Sequence, residues 1–224
     1  VLIGTMKMRV LERAKESSTV GTLFAGVNFV RHNSAILATI SLDLFAVLLG
    51  GATALLPIYA SDILHTGPWG LGVLRGVPSL GAFAMTVVLA RRAITQGAGL
   101  KMFQAVIVFG LATVVFGVSR NLWISLVALA VMGAADTVSV VIRSSFVQLA
   151  TPDAMRGRVS AVNYLFINAS NQLGAFESGA TAALLGAVPA VVVGGIGTIA
   201  VALLWMKLFP TLRRVERLDG ALVP

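Results

Sequence analysis

From residue 34 onward the chain alternates long apolar runs with short polar breaks, and the lengths of the runs decide what they are. The runs cover residues 34–60, 70–90, 100–118, 122–146, 159–185 and 190–209. Each is close to or above the about 20 residues that a helix needs to cross a hydrocarbon layer about 30 Å thick. The pattern therefore predicts six transmembrane helices. Turn residues mark the breaks: Gly67, Pro68 and Gly70 after the first run, Ser119 to Asn121 after the third, and Gly186 and Pro189 after the fifth. Pro78, inside the second run, removes a backbone donor and predicts a kink. Gly194, Gly195 and Gly197 in the sixth run offer close helix contact. Ahead of the runs, Ser17, Ser18 and Thr19 make a good helix start. Val20, Leu23, Phe24, Val27 and Val30 then recur at helical spacing, which predicts a short amphipathic helix at the membrane surface. For residues 5–18 a solvated linker is the equal alternative.

The fifth run differs from the others. Residues 148–181 open as a polar loop with Asp153, Arg156 and Arg158 and continue into a segment that is apolar on one side only. Ser160, Asn163, Ile167, Ser170, Gly174, Glu177 and Thr181 fall on one helix face, while Val162, Tyr164, Leu165, Phe166, Leu173 and Phe176 keep to the other flank. A polar face among such apolar neighbours asks for an explanation that packing alone does not supply.

Composition sharpens the class. Of 224 residues 57% are hydrophobic and 12% charged, with a mean hydropathy of +0.92, against about 25% charged in a soluble domain. This is an integral membrane protein. The net charge of +8 would raise nucleic-acid binding in a soluble chain, but here the basic residues cluster between apolar runs and no nucleic-acid partner is expected. Cysteine is absent and histidine occurs only as His32 and His65, so disulfides, thiolate or imidazole metal sites and His-based catalysis have almost nothing to draw on. No Gly-rich phosphate loop is present, and the expectation is of no cofactor and no enzymatic role. The first residue is Val, which reads as a fragment or a processed chain.

The basic residues also set the orientation. Fifteen of the 17 Lys and Arg residues lie at the end of the runs that carries both termini, and only Arg75 and Arg120 lie at the other. By the positive-inside rule both termini are cytoplasmic. The expected organisation is a cytoplasmic segment with its surface helix over 1–34, a six-helix bundle over 35–210 and a cytoplasmic tail over 211–224. Leu80, Gly81, Ala82 and Phe83 return as Leu173, Gly174, Ala175 and Phe176, a weak internal repeat that places spans two and five as equivalents in two inverted sets of three helices.

TPDAMRGRVSAVNYLF between spans four and five, with its Arg156, Gly157 and Arg158, joins a basic loop between spans two and three and six helices with cytoplasmic ends. Together these resemble the major facilitator superfamily, in its enterobactin-exporter-like branch of drug-efflux permeases, over most of residues 20–215. The resemblance implies the C-terminal six-helix half of a twelve-helix secondary transporter in the bacterial inner membrane. Of the family's other loop pattern, Arg91, Arg92 and Gly97 remain and the acidic residue is missing.

Charges inside a bilayer cost at least about 2.5–3.5 kcal/mol each on insertion scales, so each is a functional candidate. Asp43 and Arg143 fall in the cytoplasmic third, Arg75 and Glu177 in the outer third and Asp136 near the middle. Two cross-helix pairs are expected, Asp43 with Arg143 and Arg75 with Glu177, acting as gating or structural elements. Either arginine has the alternative of snorkelling to its interface. Asp136 is left without an evident partner, the setting of a proton-coupling carboxylate, with a plain interhelical hydrogen bond as the alternative. Asn163, Asn168, Ser170, Asn171, Gln172 and Glu177 are the candidate lining of a substrate cavity, set against the alternative of glue between helices. Arg156 and Arg158 are assigned to the cytoplasmic loop. Trp69, Trp123 and Trp205 read as interfacial anchors.

The expected function is secondary active transport, with proton-coupled export of a small amphipathic compound such as a drug or siderophore by alternating access. The partners would be the lipid bilayer, the small-molecule substrate and either a missing N-terminal half or a second copy of the chain. The alternatives are an integral-membrane lipid-modifying enzyme and a noncatalytic membrane scaffold.

Overall fold

The computed structural model describes residues 20–92, 94 and 96–213. The charged N-terminal segment before Val20 and the tail beyond Arg213 lie outside the described residues, and with them six of the fifteen basic residues on which the orientation rests. Everything described is helical or turn.

Helix α1 (Val20–His32) precedes α2 (Ser34–Leu49), and Asn33 between them caps α2, its Oδ1 accepting from Ile36 N at 3.2 Å. At Gly50 and Gly51 the helix breaks, then resumes as a 3-10 turn (Ala52–Leu55), the single turn α3 (Leu56–Ile58) and a π turn (Tyr59–Ile63). The remaining helices are α4 (Gly67–Arg91), α5 (Ala98–Val118), α6 (Leu122–Leu149), α7 (Asp153–Leu185), α8 (Ala187–Leu208) and the short α9 (Pro210–Arg213). Asn121 starts α6 by accepting from the backbone N–H groups of Trp123 and Ile124.

Among the described residues five helical stretches are long and apolar enough to cross a membrane: Ser34–Ile63, Gly67–Arg91, Ala98–Val118, Leu122–Leu149 and Ala187–Leu208. The sixth expected span is α7, whose 33 residues measure about 50 Å. Its polar face keeps it below the apolarity that the other five reach. The chain is thus an all-α multi-pass membrane protein.

The packing follows two sets of three. α4, from the first set, packs on α6 of the second, and α7, from the second, packs on α2 of the first. α5 packs on α6 as α8 packs on α2, and α5 and α8 pack on each other. The repeated Leu-Gly-Ala-Phe has a physical reason in this arrangement. Gly81 lies against the backbone of Ala130 on α6, and Gly174 lies 2.8 Å, measured from an added Cβ, from the carbonyl of Val47 on α2. Each glycine sits where its helix crosses the backbone of the other set.

The interior falls into two apolar plugs. One, at the end away from the termini, gathers Leu55, Tyr59, Leu74, Phe116, Leu129 and Val191; Tyr59 stacks on Phe116 and donates its hydroxyl to Gly117 O at 2.8 Å. The other, at the end of the termini, gathers Leu42, Met102, Phe103, Ile142, Phe146 and Ala202. Two expectations are adjusted. α1 packs on α7, with Val30 against Val159 and Val162, so it is docked on the bundle and does not stand alone. Trp69 and Trp123 are exposed, as anchors are, but Trp205 turns inward and donates Nε1–H to Ser41 Oγ at 2.9 Å.

Candidate functional site

Between the two plugs lies a polar layer. Arg143 on α6 donates Nη1–H to Asp43 Oδ1 on α2, and the two side chains are 5% and 9% exposed. Of the two alternatives for Arg143, the structure has the ion pair and not the snorkel. Removing both charges from water costs several kcal/mol per ion, which a close pair offsets only with its remaining hydrogen-bonding groups satisfied. Arg143 Nε is buried with no acceptor, so this pair is not saturated.

Asp136 stands seven residues before Arg143, and Ser139 four before it, which puts all three on one face of α6. Asp136 opens onto a cavity of about 210 Å³ to which five elements contribute: Val47 and Gly51 at the break in α2, Pro78 of α4, Phe109 of α5, Asp136 itself and Asn171 of α7. The break explains the opening, because a continuous α2 would carry side chains through this space where Gly50 and Gly51 have none. Neighbouring polar side chains are self-satisfied: Thr113 donates to Phe109 O and Thr198 to Ala46 O and Gly194 O. A larger groove of about 500 Å³ between α5 and α6 is lined by apolar residues such as Leu111, Val115 and Trp123, the lining expected of a lipid-facing surface.

The polar seam of α7 divides. Ser170 and Gly174 are buried, Ser170 donating to Phe166 O at 2.7 Å, and an added Cβ on Gly51 would touch Ser178 Oγ at 2.5 Å. That face is the helix contact with α2, so the alternative of packing applies to Ser170. Asn168, Asn171 and Gln172 lie one step round the helix and are exposed, Asn168 Nδ2 donating to Tyr164 O. Asn163 and Glu177 are half-buried, and Glu177 accepts from Thr181 Oγ1 at 2.8 Å. Of the candidate lining, Asn171 reaches the cavity that Asp136 lines.

The second expected pair does not form. Arg75 is exposed on α4, which packs on α6, whereas α7 packs on α1, α2 and α8, and among the described residues no ion pair joins Arg75 to Glu177. Equal depth brought the two together in the sequence reading, but equal depth does not make two helices neighbours. At the loop before α7, Arg156 pairs with Asp153 at 2.9 Å and donates Nε–H to Gln148 O at 3.3 Å, while Arg158 donates to Met155 Sδ. No group of three His, Cys, Asp or Glu side chains comes together among the described residues.

Sequence reasoning missed Ser139, although its place between Asp136 and Arg143 was a legible signal. It also missed a second one: Asp136 follows Asp43 by 93 positions, the spacing that separates the two Leu-Gly-Ala-Phe copies. The two carboxylates are therefore the same position of the first helix in each set.

Comparison with known proteins now adds to this geometry. The family described as transmembrane secretion effector matches residues 2–221. The chain is 28% identical over 176 residues to the enterobactin exporter EntS of Citrobacter koseri, covering 76% of this chain and 42% of that protein. It is 26% identical over 178 residues to a Na(+), Li(+), K(+)/H(+) antiporter of Planococcus maritimus, covering 70% of this chain and 42% of that one. The chain thus spans less than half the length of these curated relatives. No solved structure matches.

Proposed function

Since the chain belongs to the transmembrane secretion effector family of the major facilitator superfamily, we propose that it is one six-helix half of a secondary transporter that exports a small amphipathic compound in exchange for protons. The observation that carries the reading is Asp136, a carboxylate that opens onto a cavity beside Asn171, whereas the larger groove between α5 and α6 is apolar. A carboxylate held there is neutral when protonated and charged when not, so cargo and proton compete for one site. Exposed faces on α7 that are partly polar, at Asn168, Asn171 and Gln172, suit contact with a second six-helix bundle and with water more than contact with lipid. That second bundle is the missing N-terminal half or a second copy. Rocking of the two about the cavity gives alternating access, in the bacterial inner membrane with both termini cytoplasmic. Both relatives, as named, move solutes across membranes, one as an exporter and one as a cation/proton antiporter.

The absence of cysteine makes the test clean. In cells producing the protein, ethidium serves as an amphipathic probe. Efflux is expected to stop with a protonophore and with Asp136→Asn, and single cysteines at Asn168, Asn171 and Gln172 are expected to react with a membrane-impermeant thiol reagent while Ser170→Cys does not. Efflux indifferent to both the protonophore and Asp136→Asn defeats the reading.

A further inference from the structure

The cavity that Asp136 lines has a small neighbour of about 20 Å³, bounded by Asp43, Ala46, Val47, Val106, Phe109, Asp136 and Ser139. One water needs about 10–15 Å³ and two to four polar partners. This space offers both: two carboxylates from different helices and one hydroxyl. Asp43 is in turn held by Arg143, whose Nε has no acceptor. The buried ion pair and the cavity-facing carboxylate therefore share a boundary through a gap of one water's size.

The charges are also unbalanced. α2 contributes Asp43, and α6 contributes Asp136 and Arg143. Val106 and Phe109 of α5, Pro78 of α4 and Asn171 of α7 complete the surroundings without a titratable group. Two carboxylates face one guanidinium, so the cluster carries one net negative charge when all three are ionised, and a single bound proton neutralises it.

We propose that Asp43, Asp136 and Arg143 form one proton-binding unit, joined by a water held between Asp43, Ser139 and Asp136, which passes one proton between the cavity and the buried pair. A proton from the cavity bonds to a carboxylate oxygen of Asp136. Asp136 then gives that proton to the water as the water gives one of its own to Asp43. Asp136 loses its O–H bond, Asp43 gains one, the water breaks one and forms one, and the total charge of the cluster is unchanged. Asp43 is now neutral, its ion pair with Arg143 becomes an ordinary hydrogen bond, and the guanidinium turns its attraction to the Asp136 anion. Protonation at the cavity thereby loosens the contact between α2 and α6 at a buried point. Ser139 is a positioning residue that holds the water. The inference rests on the reading of Asp136 as the coupling carboxylate and adds the path by which its proton reaches the helix contact.

The test uses the whole chain in lipid nanodiscs and needs no transport. The carboxylic C=O stretch in the infrared counts protonated carboxyls as pH falls, and ¹⁵N signals of the Arg143 side chain report its pairing. Near neutral pH, where the ordinary carboxyls among the other seven Asp and Glu are ionised, one protonated carboxyl per chain is expected, absent in Asp136→Asn and in Asp43→Asn, because one remaining carboxylate matches one guanidinium. It is expected to return in Asp43→Asn/Arg143→Gln. A protonated carboxyl that persists in Asp43→Asn shows a closed ion pair and overturns the proposal. Should Asp43→Asn fail to fold, the wild type decides: the Arg143 signals must shift together with the carboxyl band, must lose that shift in Asp136→Asn and in Ser139→Val, which fills the gap, and must keep it in Ser139→Ala. Arg143 signals that ignore the band, or that follow it in Ser139→Val, overturn the proposal with the transport reading left standing. No protonated carboxyl near neutral pH removes Asp136 as the coupling group and this inference with it, while ethidium efflux still tests export on its own.

Discussion

Neutralising Asp43 should harm this protein more than neutralising Asp43 and Arg143 together. With its side chain 5% exposed, Arg143 loses its direct counter-ion in Asp43→Asn and is left with Asp136, which among the described residues makes no ion pair with it. Breaking a buried pair from one side costs about 3–5 kcal/mol, because the remaining charge is left uncompensated. Arginine does not deprotonate in proteins, so it cannot escape the cost. In Arg143→Gln the orphan is Asp43, which can discharge by binding a proton, so this variant is the milder. In the double variant two neutral amides face each other across the same space, and most of the penalty disappears. The expected order of damage is Asp43→Asn, then Arg143→Gln, then the double variant, with a coupling of at least about 2 kcal/mol, or roughly 30-fold in the folding equilibrium. Unfolding of the purified chain in mixed micelles titrated with a denaturing detergent measures all four corners of the cycle. Additive losses in the double variant would refute the reasoning, since they would mean that the two charges do not stabilise each other.

Two further outcomes concern packing. Gly81→Ala should destabilise the bundle by about 1–3 kcal/mol, because the added methyl meets the carbonyl of Ala130, whereas Gly76→Ala on the same helix meets nothing within 4 Å and should not destabilise; the same detergent unfolding compares them, and equal effects would mean that α4 and α6 do not cross at Gly81. Tyr59→Phe should cost about 1 kcal/mol by stranding the carbonyl of Gly117, with the ring stack on Phe116 retained; a loss of several kcal/mol in the same assay would point to a wider role for that hydroxyl.

Much of this molecule was legible from its pattern of polar and apolar positions. Run length demands membrane-crossing helices, because a backbone in hydrocarbon must satisfy its own hydrogen bonds. The organisation in two sets of three was already visible in one repeated tetrapeptide. Depth along a helix is likewise a one-dimensional quantity, so the pairing of Asp43 with Arg143 came from counting residues.

What counting does not supply is which helices are neighbours and how each is rotated. Arg75 and Glu177 were expected at one depth but sit on helices that pack elsewhere. Ser170 and Asn171 are adjacent in sequence, yet one is pressed against α2 and the other reaches the cavity, since a step of one residue turns a helix by about 100°. Only the tertiary structure brought the break at Gly50 and Gly51 next to Asn171 and Asp136, and only it left a gap of one water between the twin carboxylates. Sequence alone determined that this chain lives in a membrane. The packing of helices, which depends on side-chain shape across contacts far apart in the chain, decided which of its charges meet.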